Sequence, residues 1–250
     1  MTDPFRLDRR VAVVTGGGGW LGGPICNSLA RAGAAVAVVG RTLAGVEGVR
    51  DEVVAAGGTA VALACDVSQK AQVEEMATAV LSELGGVDVL VNNAAIYPGR
   101  PWTEIPEEEW DDVLATNLKG PFLCSRACFA SMRERGRGRI INLASTTFFH
   151  AFPNATVLHY VTSKGGVVGF TRALAREVGP SNVTVNAIAP GAFEKFEADA
   201  DYERWVLDRQ SLKRRGVGED VGNVTAFLAS DAASFITGQT IVVDGGMATP

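Results

Sequence analysis

Val11-Ala12-Val13-Val14-Thr15-Gly16-Gly17-Gly18-Gly19-Trp20-Leu21-Gly22-Gly23 carries the clearest architectural signal in the chain. A β-branched run enters a block of glycines, and a helical pattern follows from about Pro24 to Ala32. Strand, glycine-rich turn and helix in that order bring backbone N–H groups and a helix N-terminus to one point, which suits a pyrophosphate. Glycine allows the close backbone approach that a Cβ would block. A flexible glycine linker would not sit at a strand-to-helix junction.

The pattern repeats along the chain. Ala35 to Arg41 reads as a second strand, Leu43 to Ala56 as a helix, and Thr59 to Val67 as a third strand. A helix over Ala71 to Leu84 precedes the apolar run Val87 to Ala95. Pro106 to Arg133 is a long helical region expected to break near Gly120-Pro121, because proline disrupts the interior hydrogen-bond ladder. Strands over Arg139 to Ser145, Asn182 to Gly191 and Phe235 to Gly246, with a helix over His159 to Val178, complete the alternation. This predicts an α/β fold: a single-domain, Rossmann-type, doubly wound parallel sheet of about seven strands with helices on both faces. No boundary or internal repeat divides residues 1–250.

Composition narrows the function classes. Hydrophobic residues make up 47% of the 250 and charged residues 20%, as in a folded domain with a large core. A net charge of -5 offers no basic face for nucleic acid. No apolar run approaches the roughly 20 residues of a membrane span. Met1 to Arg10 lacks the apolar centre of a secretory signal, so a cytoplasmic protein is expected. The four cysteines are scattered; Cys124 and Cys128, one helical turn apart, read as core filling. With two histidines and no Cys-x-x-Cys, no metal is expected.

Reactive side chains concentrate between Arg139 and Lys164. The strand ends at Ser145, whose hydroxyl suits a substrate oxygen. On the helix that follows, Tyr160 and Lys164 are i,i+4 neighbours. An ammonium beside a phenol favours the phenolate, so the pair is expected to act as an acid/base near neutral pH.

Thr15, Gly16 and Gly22 match the T-G-x-x-x-G-x-G spacing, and Asp66-Val67, Asn92-Asn93-Ala94, Asn117, Ser145…Tyr160-x-x-x-Lys164 and Pro190-Gly191 follow in order. From about Leu7 to Met247 the chain thereby resembles the classical short-chain dehydrogenase/reductase family. The resemblance implies hydride transfer between a nicotinamide and a carbonyl or hydroxyl carbon. Tyr160 would move the proton, Ser145 would orient the substrate oxygen, Lys164 would hold the nicotinamide ribose, and Asn117 would link the proton path to water. It also implies cofactor contacts from Thr15, Gly16, Gly18, Gly19, Trp20, Leu21 and Gly22; from Arg41 and Thr42; from Asp66, Val67, Asn93 and Ala94; and from Tyr160, Lys164, Pro190, Gly191 and Phe193. Gly40 stands where an NAD-type acid would be, and Arg41 follows it, which favours NADP(H) over NAD(H). Three departures stand out. Trp20 replaces the middle glycine, so its side chain is expected to point away from the phosphates. Lys195 replaces a threonine after the Pro190-Gly191 turn. The interval from Ser145 to Tyr160 is two residues longer than usual, which makes Thr147 a rival hydroxyl; the strand pattern ending at Ser145 favours the serine.

For the substrate, Phe148, Phe149 and Phe152 crowd the loop before Tyr160, and Tyr97, Phe193, Phe196 and Trp205 lie on segments that edge the pocket in relatives. Aromatic walls suit a small aromatic or hydrophobic ketone or alcohol. Residues 192–215 would form a lid over it. At segment level the chain looks like the subgroup of 1-phenylethanol and pyridoxal 4-dehydrogenases, and less like the 3-oxoacyl-acyl-carrier-protein reductases. The latter reading remains an alternative, with Lys213-Arg214-Arg215 as a docking cluster if it is not simply a solvated helix end. A non-catalytic nucleotide-binding regulator is disfavoured by the intact Asn117, Ser145, Tyr160 and Lys164. The resemblance also implies a homotetramer, joined through the two long helices and the last strand.

Overall fold

The computed structural model describes residues 3–149, 156–194 and 200–248. Seven parallel strands form one sheet: β1 (Val11–Thr15), β2 (Ala35–Gly40), β3 (Ala60–Ala64), β4 (Val89–Asn92), β5 (Gly138–Leu143), β6 (Val183–Pro190) and β7 (Thr240–Val243). Their order is β3-β2-β1-β4-β5-β6-β7. Eight helices are described: α1 (Gly22–Arg31), α2 (Ala44–Ala55), α3 (Lys70–Leu84), α4 (Glu107–Leu114), α5 (Gly120–Glu134), α6 (Leu158–Val178), α7 (Ala200–Arg209) and α8 (Gly218–Ala229). The chain direction of winding reverses between β1 and β4, and a crevice opens beyond their C-terminal ends at such a switch point.

Strand alternation builds the two halves of the core. Ala12 and Val14 of β1 pack with Ile25 and Leu29 of α1 and with Val221 and Leu228 of α8. Val11 and Val13 face the opposite layer, among Val73, Met76 and Val80 of α3 and Cys124, Cys128 and Met132 of α5. Burial on both faces explains why β1 reads as a continuous apolar run. The cysteines are buried and free, and burial pushes the Cys128 thiol up to about 12, so they act as packing groups.

Polar side chains tie the layers together beneath the crevice. Asn92 Nδ2 donates to Asn142 Oδ1 on the neighbouring strand at 2.8 Å, and Asn142 Nδ2 donates to Thr171 Oγ1 of α6 at 2.9 Å. The expected break at Gly120-Pro121 does not occur. Instead the helix widens one turn earlier, over Ala115–Lys119, where the Gly120 N–H reaches back to the Ala115 carbonyl. Pro121 lacks the N–H that an α-helical turn would require, and a π-turn takes up the distortion while α4 and α5 run on. Asn117 lies in that widened turn.

Candidate active site

A cavity of about 1120 Å³ runs along the C-terminal ends of the strands. On the β2–β3 side it is lined by Arg41, Thr42, Asp66 and Val67; in the middle by Gly16, Gly18, Gly19, Trp20, Leu21, Asn93 and Ala94. On the β5–β6 side the wall is Ser145, Tyr160, Lys164, Pro190, Gly191 and Phe193, with Tyr97 and Thr147 beside them. One cavity thus collects predicted residues spread over most of the chain.

The glycine turn has steric reasons for its composition. Gly16 has φ +63, a left-handed conformation that side chains disfavour. A Cβ on Gly18 would strike the Gly45 carbonyl. Two predicted cofactor residues, Thr15 and Gly22, lie behind the wall rather than on it. Thr15 Oγ1 donates to the Val91 carbonyl at 3.3 Å and accepts from the N–H groups of Asn93 and Ala94 at 3.1 and 3.2 Å. Asn93 Nδ2 returns to the Thr15 and Gly16 carbonyls at 3.1 and 2.9 Å. These bonds staple the ends of β1 and β4 and hold the turn open. Gly22 has no room for a side chain, because a Cβ would meet the Gly16 carbonyl.

Asp66 combines both predicted roles in position. It lines the cavity, and its Oδ1 accepts from the Ser68 N–H at 2.9 Å in the turn before α3. Arg41 is exposed at the mouth beside Thr42, at the end of β2.

Ser145, Tyr160 and Lys164 meet at the end of β5. Ser145 is buried, hydrogen-bonds the Tyr160 phenol, and accepts from Thr147 N at 3.2 Å and Thr147 Oγ1 at 2.9 Å. The serine therefore stands next to the phenol, with Thr147 behind it. The loop after Ser145 begins with a 3-10 turn over Thr146–Phe148, capped by Ser145.

The electrostatics differ from the expectation of a ready phenolate. Burial pushes the Tyr160 phenol up to about 12; the hydrogen bond to Ser145 opposes this, and Tyr97 adds to it. Burial pulls the Lys164 ammonium down to about 8. Lys164 Nζ donates to the Leu143 carbonyl at 2.6 Å and lies 5.6 Å from the centre of the Tyr160 ring. Desolvation thus outweighs the hydrogen bond and holds the phenol above its ordinary value.

Asn117 is buried in the π-turn. Its Nδ2 donates to the Ile96 carbonyl at 2.9 Å and to Ser163 Oγ at 3.1 Å, while its Oδ1 accepts from the Ile96 N–H at 2.9 Å. Its amide fastens the loop after β4 to α6, so no N–H of the side chain is left for a water.

The expected aromatic pocket is redrawn. Phe148 and Phe149 are exposed and do not line the cavity. The 3-10 turn sends Thr147 inward and the phenylalanines outward, where Phe148 lies over Gly165 of α6. Trp205 also stays off the wall and takes Arg209 over its ring at 4.5 Å. Phe152, Phe196 and Lys195 fall outside the described residues. Tyr97 does line the cavity, with its ring edge-on to Tyr160 at 4.4 Å. Trp20 is among the lining residues, and its ring packs edge-on against Phe193 at 5.6 Å. Gly18 and Gly19 supply the open backbone instead.

Several lining residues escaped sequence reasoning, among them Tyr202 and Arg215, whose long polar side chains come from the segment after β6. An aromatic on the α7 segment was a usable signal for Tyr202. Nothing local marks Arg215, because its neighbours in the basic cluster point elsewhere. Lys213 Nζ donates to the Leu207 and Gln210 carbonyls, and Arg214 pairs with Asp220 at 2.7 Å. Arg215 is buried, donates to the Phe193 carbonyl and lies 3.6 Å from Glu203. Of the three cations only Arg215 is buried, while Lys213 and Arg214 stay exposed with intramolecular partners.

Comparison with known proteins adds to this geometry. A family profile described as enoyl-(acyl carrier protein) reductase matches residues 21–248. The chain is 42% identical over 243 residues to a 3-oxoacyl-acyl-carrier-protein reductase, FabG, of Staphylococcus epidermidis, covering 94% of this chain and 98% of that protein. Its structure is similar to a short-chain type dehydrogenase/reductase from Mycobacterium marinum (TM-score 0.93, 36% identity, 99% of each chain). It is also similar to a gluconate 5-dehydrogenase from Burkholderia cenocepacia in complex with NADP and tartrate (TM-score 0.93, 31% identity, 99% of this chain and 98% of that one). Similarity to the Staphylococcus reductase points in the direction of the oxoacyl reading, and none of the three is named for an aromatic ketone.

Proposed function

The chain belongs to the short-chain dehydrogenase/reductase family, oxidoreductases that act on CH–OH and carbonyl groups with a nicotinamide cofactor, and from this we propose that it reduces the 3-oxo group of an acyl thioester with NADPH. The observation that carries the substrate class is the 42% identity to a 3-oxoacyl-acyl-carrier-protein reductase over nearly the full length of both chains.

The cavity residues fit the dinucleotide. The open backbone at Gly16, Gly18, Gly19 and Leu21 offers a cradle for the pyrophosphate at the start of α1. Asp66, Val67, Asn93 and Ala94 line the cavity where they would border the adenosine half, and Pro190, Gly191 and Phe193 where they would border the nicotinamide half. Arg41 and Thr42 would take the 2′-phosphate, with Gly40 leaving no carboxylate to repel it. When bound, the nicotinamide supplies the hydride chemistry. Ser145 would hold the substrate oxygen by a hydrogen bond. Tyr160 would protonate that oxygen as its carbon is reduced. Lys164, buried and cationic below about pH 8, would hold the ribose and stabilise the tyrosinate left behind. Asn117 would keep the loop after β4 and α6 in register around them. Residues 192–215 would form a lid, contributing Phe193, Tyr202 and Arg215 to the wall.

A second reading, a small aromatic ketone or alcohol, keeps one specific support: Tyr97, Phe193 and Tyr202 line the substrate side. The homotetramer belongs to this proposal too, supported by exposed Phe122 on α5, Phe148 and Phe149 before α6, and Val242 on β7. Cytoplasmic placement goes with the substrate; among the described residues no helix is long and apolar enough to cross a membrane.

Oxidation of NADPH and NADH by the purified protein, with acetoacetyl-carrier protein, acetoacetyl-CoA and an aryl methyl ketone in parallel, tests these readings. Faster turnover of the thioesters with NADPH is the expected result. Faster turnover of the aryl ketone would replace the proposal with the second reading, and an NADH preference would remove the role given to Arg41.

A further inference from the structure

Trp20 has no part in the chemistry just described, yet it contributes a large ring to the wall of a turn otherwise built of glycine. Its partner, Phe193, is buried and firmly held. Residue 193 bridges Gly216, the Glu194 N–H donates to the Gly216 carbonyl at 3.1 Å, and the Gly216 N–H donates to the Ala192 carbonyl at 3.1 Å. Arg215 donates to the Phe193 carbonyl, and a Cβ on Gly216 would run into the phenyl ring. The phenyl therefore has one direction to point, and Trp20 meets it edge-on, with the planes at 76°.

The two rings come from opposite sides of the crevice. Trp20 follows β1 and Phe193 follows β6, strands three places apart in the sheet, or about 14 Å at ordinary ladder spacing. Arg41 and Asp66 follow β2 and β3, outside this span, while Ser145 follows β5, within it, and all of them line the same cavity. A ligand reaching from Asp66 to Ser145 passes the Trp20 end of the pair.

We propose that the Trp20–Phe193 pair is a strap across the midpoint of the cofactor site, holding the dinucleotide in place and making its release wait on separation of the two rings. The inference rests on the nicotinamide-cofactor reading above. An apolar strap over a phosphate linkage keeps water from the N–H groups of the glycine turn, and its loss appears mainly in the dissociation rate.

Stopped-flow release of NADPH from the full-length protein tests this with Trp20→Leu, Trp20→Gly and Phe193→Leu. Trp20→Leu keeps a Cβ and apolar bulk but cannot reach Phe193, so it separates the strap from loosening of the turn. Melting temperature confirms that each variant is folded. Release is expected to be at least about tenfold faster in each single variant, a barrier change of about 1.4 kcal/mol. Trp20→Leu with Phe193→Leu should add little to either alone. Energy transfer from tryptophan to bound NADPH should fall in Trp20→Leu, because Trp102, Trp110 and Trp205 are not on the cavity wall. Unchanged release and unchanged energy transfer, with the wild type binding NADPH, would overturn the strap alone. Failure of the wild type to bind any nicotinamide dinucleotide would bring down both readings.

Discussion

Tyr160 and Lys164 show how burial sets chemistry at single side chains. The phenol is pushed up to about 12 and the ammonium pulled down to about 8, both chiefly by desolvation. Tyr160→Phe should lower kcat by about 10²- to 10⁴-fold, the range for a lost general acid, while the NADPH dissociation constant changes little; an active Phe variant would point to another acid. Lys164 carries a definite pH signature. Its folded value lies below that of an unfolded lysine, so the native state binds fewer protons between about pH 8 and the ordinary lysine range. Stability from this group therefore rises with pH across that window, and the cost of burying the ammonium is felt below it. Cofactor affinity should run the other way, falling above about pH 8 as the ribose-binding charge is lost, which a fluorescence titration of NADPH from pH 6.5 to 9.5 would show.

The ends of strands and helices are held by a few polar centres with separate duties. At the C-terminal ends of the strands Asn117, Thr15 and Asn93 shape the crevice. At the N-terminal ends Asp88 gathers β1, β4 and β5. It accepts from Arg137 at 2.7 Å, from Arg135 at 3.1 Å and from the Val11 N–H at 2.9 Å. Burial alone would push its carboxyl up, but these hydrogen bonds outweigh it and hold the group below the usual carboxylate range. Its contribution is full above the unfolded carboxylate value and is lost as pH falls through the lower folded value. Asp88→Asn should cost about 1.5–3 kcal/mol near neutrality, as expected for losing hydrogen bonds to a charged group. Urea denaturation at pH 7 and pH 3 checks this: the gap between wild type and variant should narrow in acid, while kcat at neutral pH stays near that of the wild type.

At the scale of the whole molecule, Phe122 on α5, Phe148 and Phe149 ahead of α6, and Val242 on the edge strand β7 are exposed apolar side chains on the elements through which the proposed assembly would form. A tetramer is the expected species in light scattering at micromolar concentration. Phe122→Asp combined with Phe149→Asp should shift it to smaller species without unfolding the sheet, since neither ring belongs to the buried core. A monomeric wild type would remove the assembly from the proposal.

Much of this protein was legible in one dimension. Alternating apolar periods, the glycine block at Gly16–Gly23 and the four-residue step from Tyr160 to Lys164 are local patterns, and local backbone geometry translates them directly into strand, turn and helix face. The parallel sheet and the meeting of Ser145, Tyr160 and Lys164 followed from those patterns together with the family resemblance. Side-chain direction at distant contacts did not follow. Trp20 packs against Phe193, far along the chain; Phe148 and Phe149 are exposed, and a 3-10 turn over Thr146–Phe148 sets the course of the chain there. Arg215 became a wall residue while Lys213 and Arg214 were taken by α7 and α8. The upward shift of the Tyr160 phenol likewise depended on how much water the surrounding elements exclude. Such properties arise from packing between segments remote in sequence, where many rotamers satisfy the local backbone and the tertiary contacts select one.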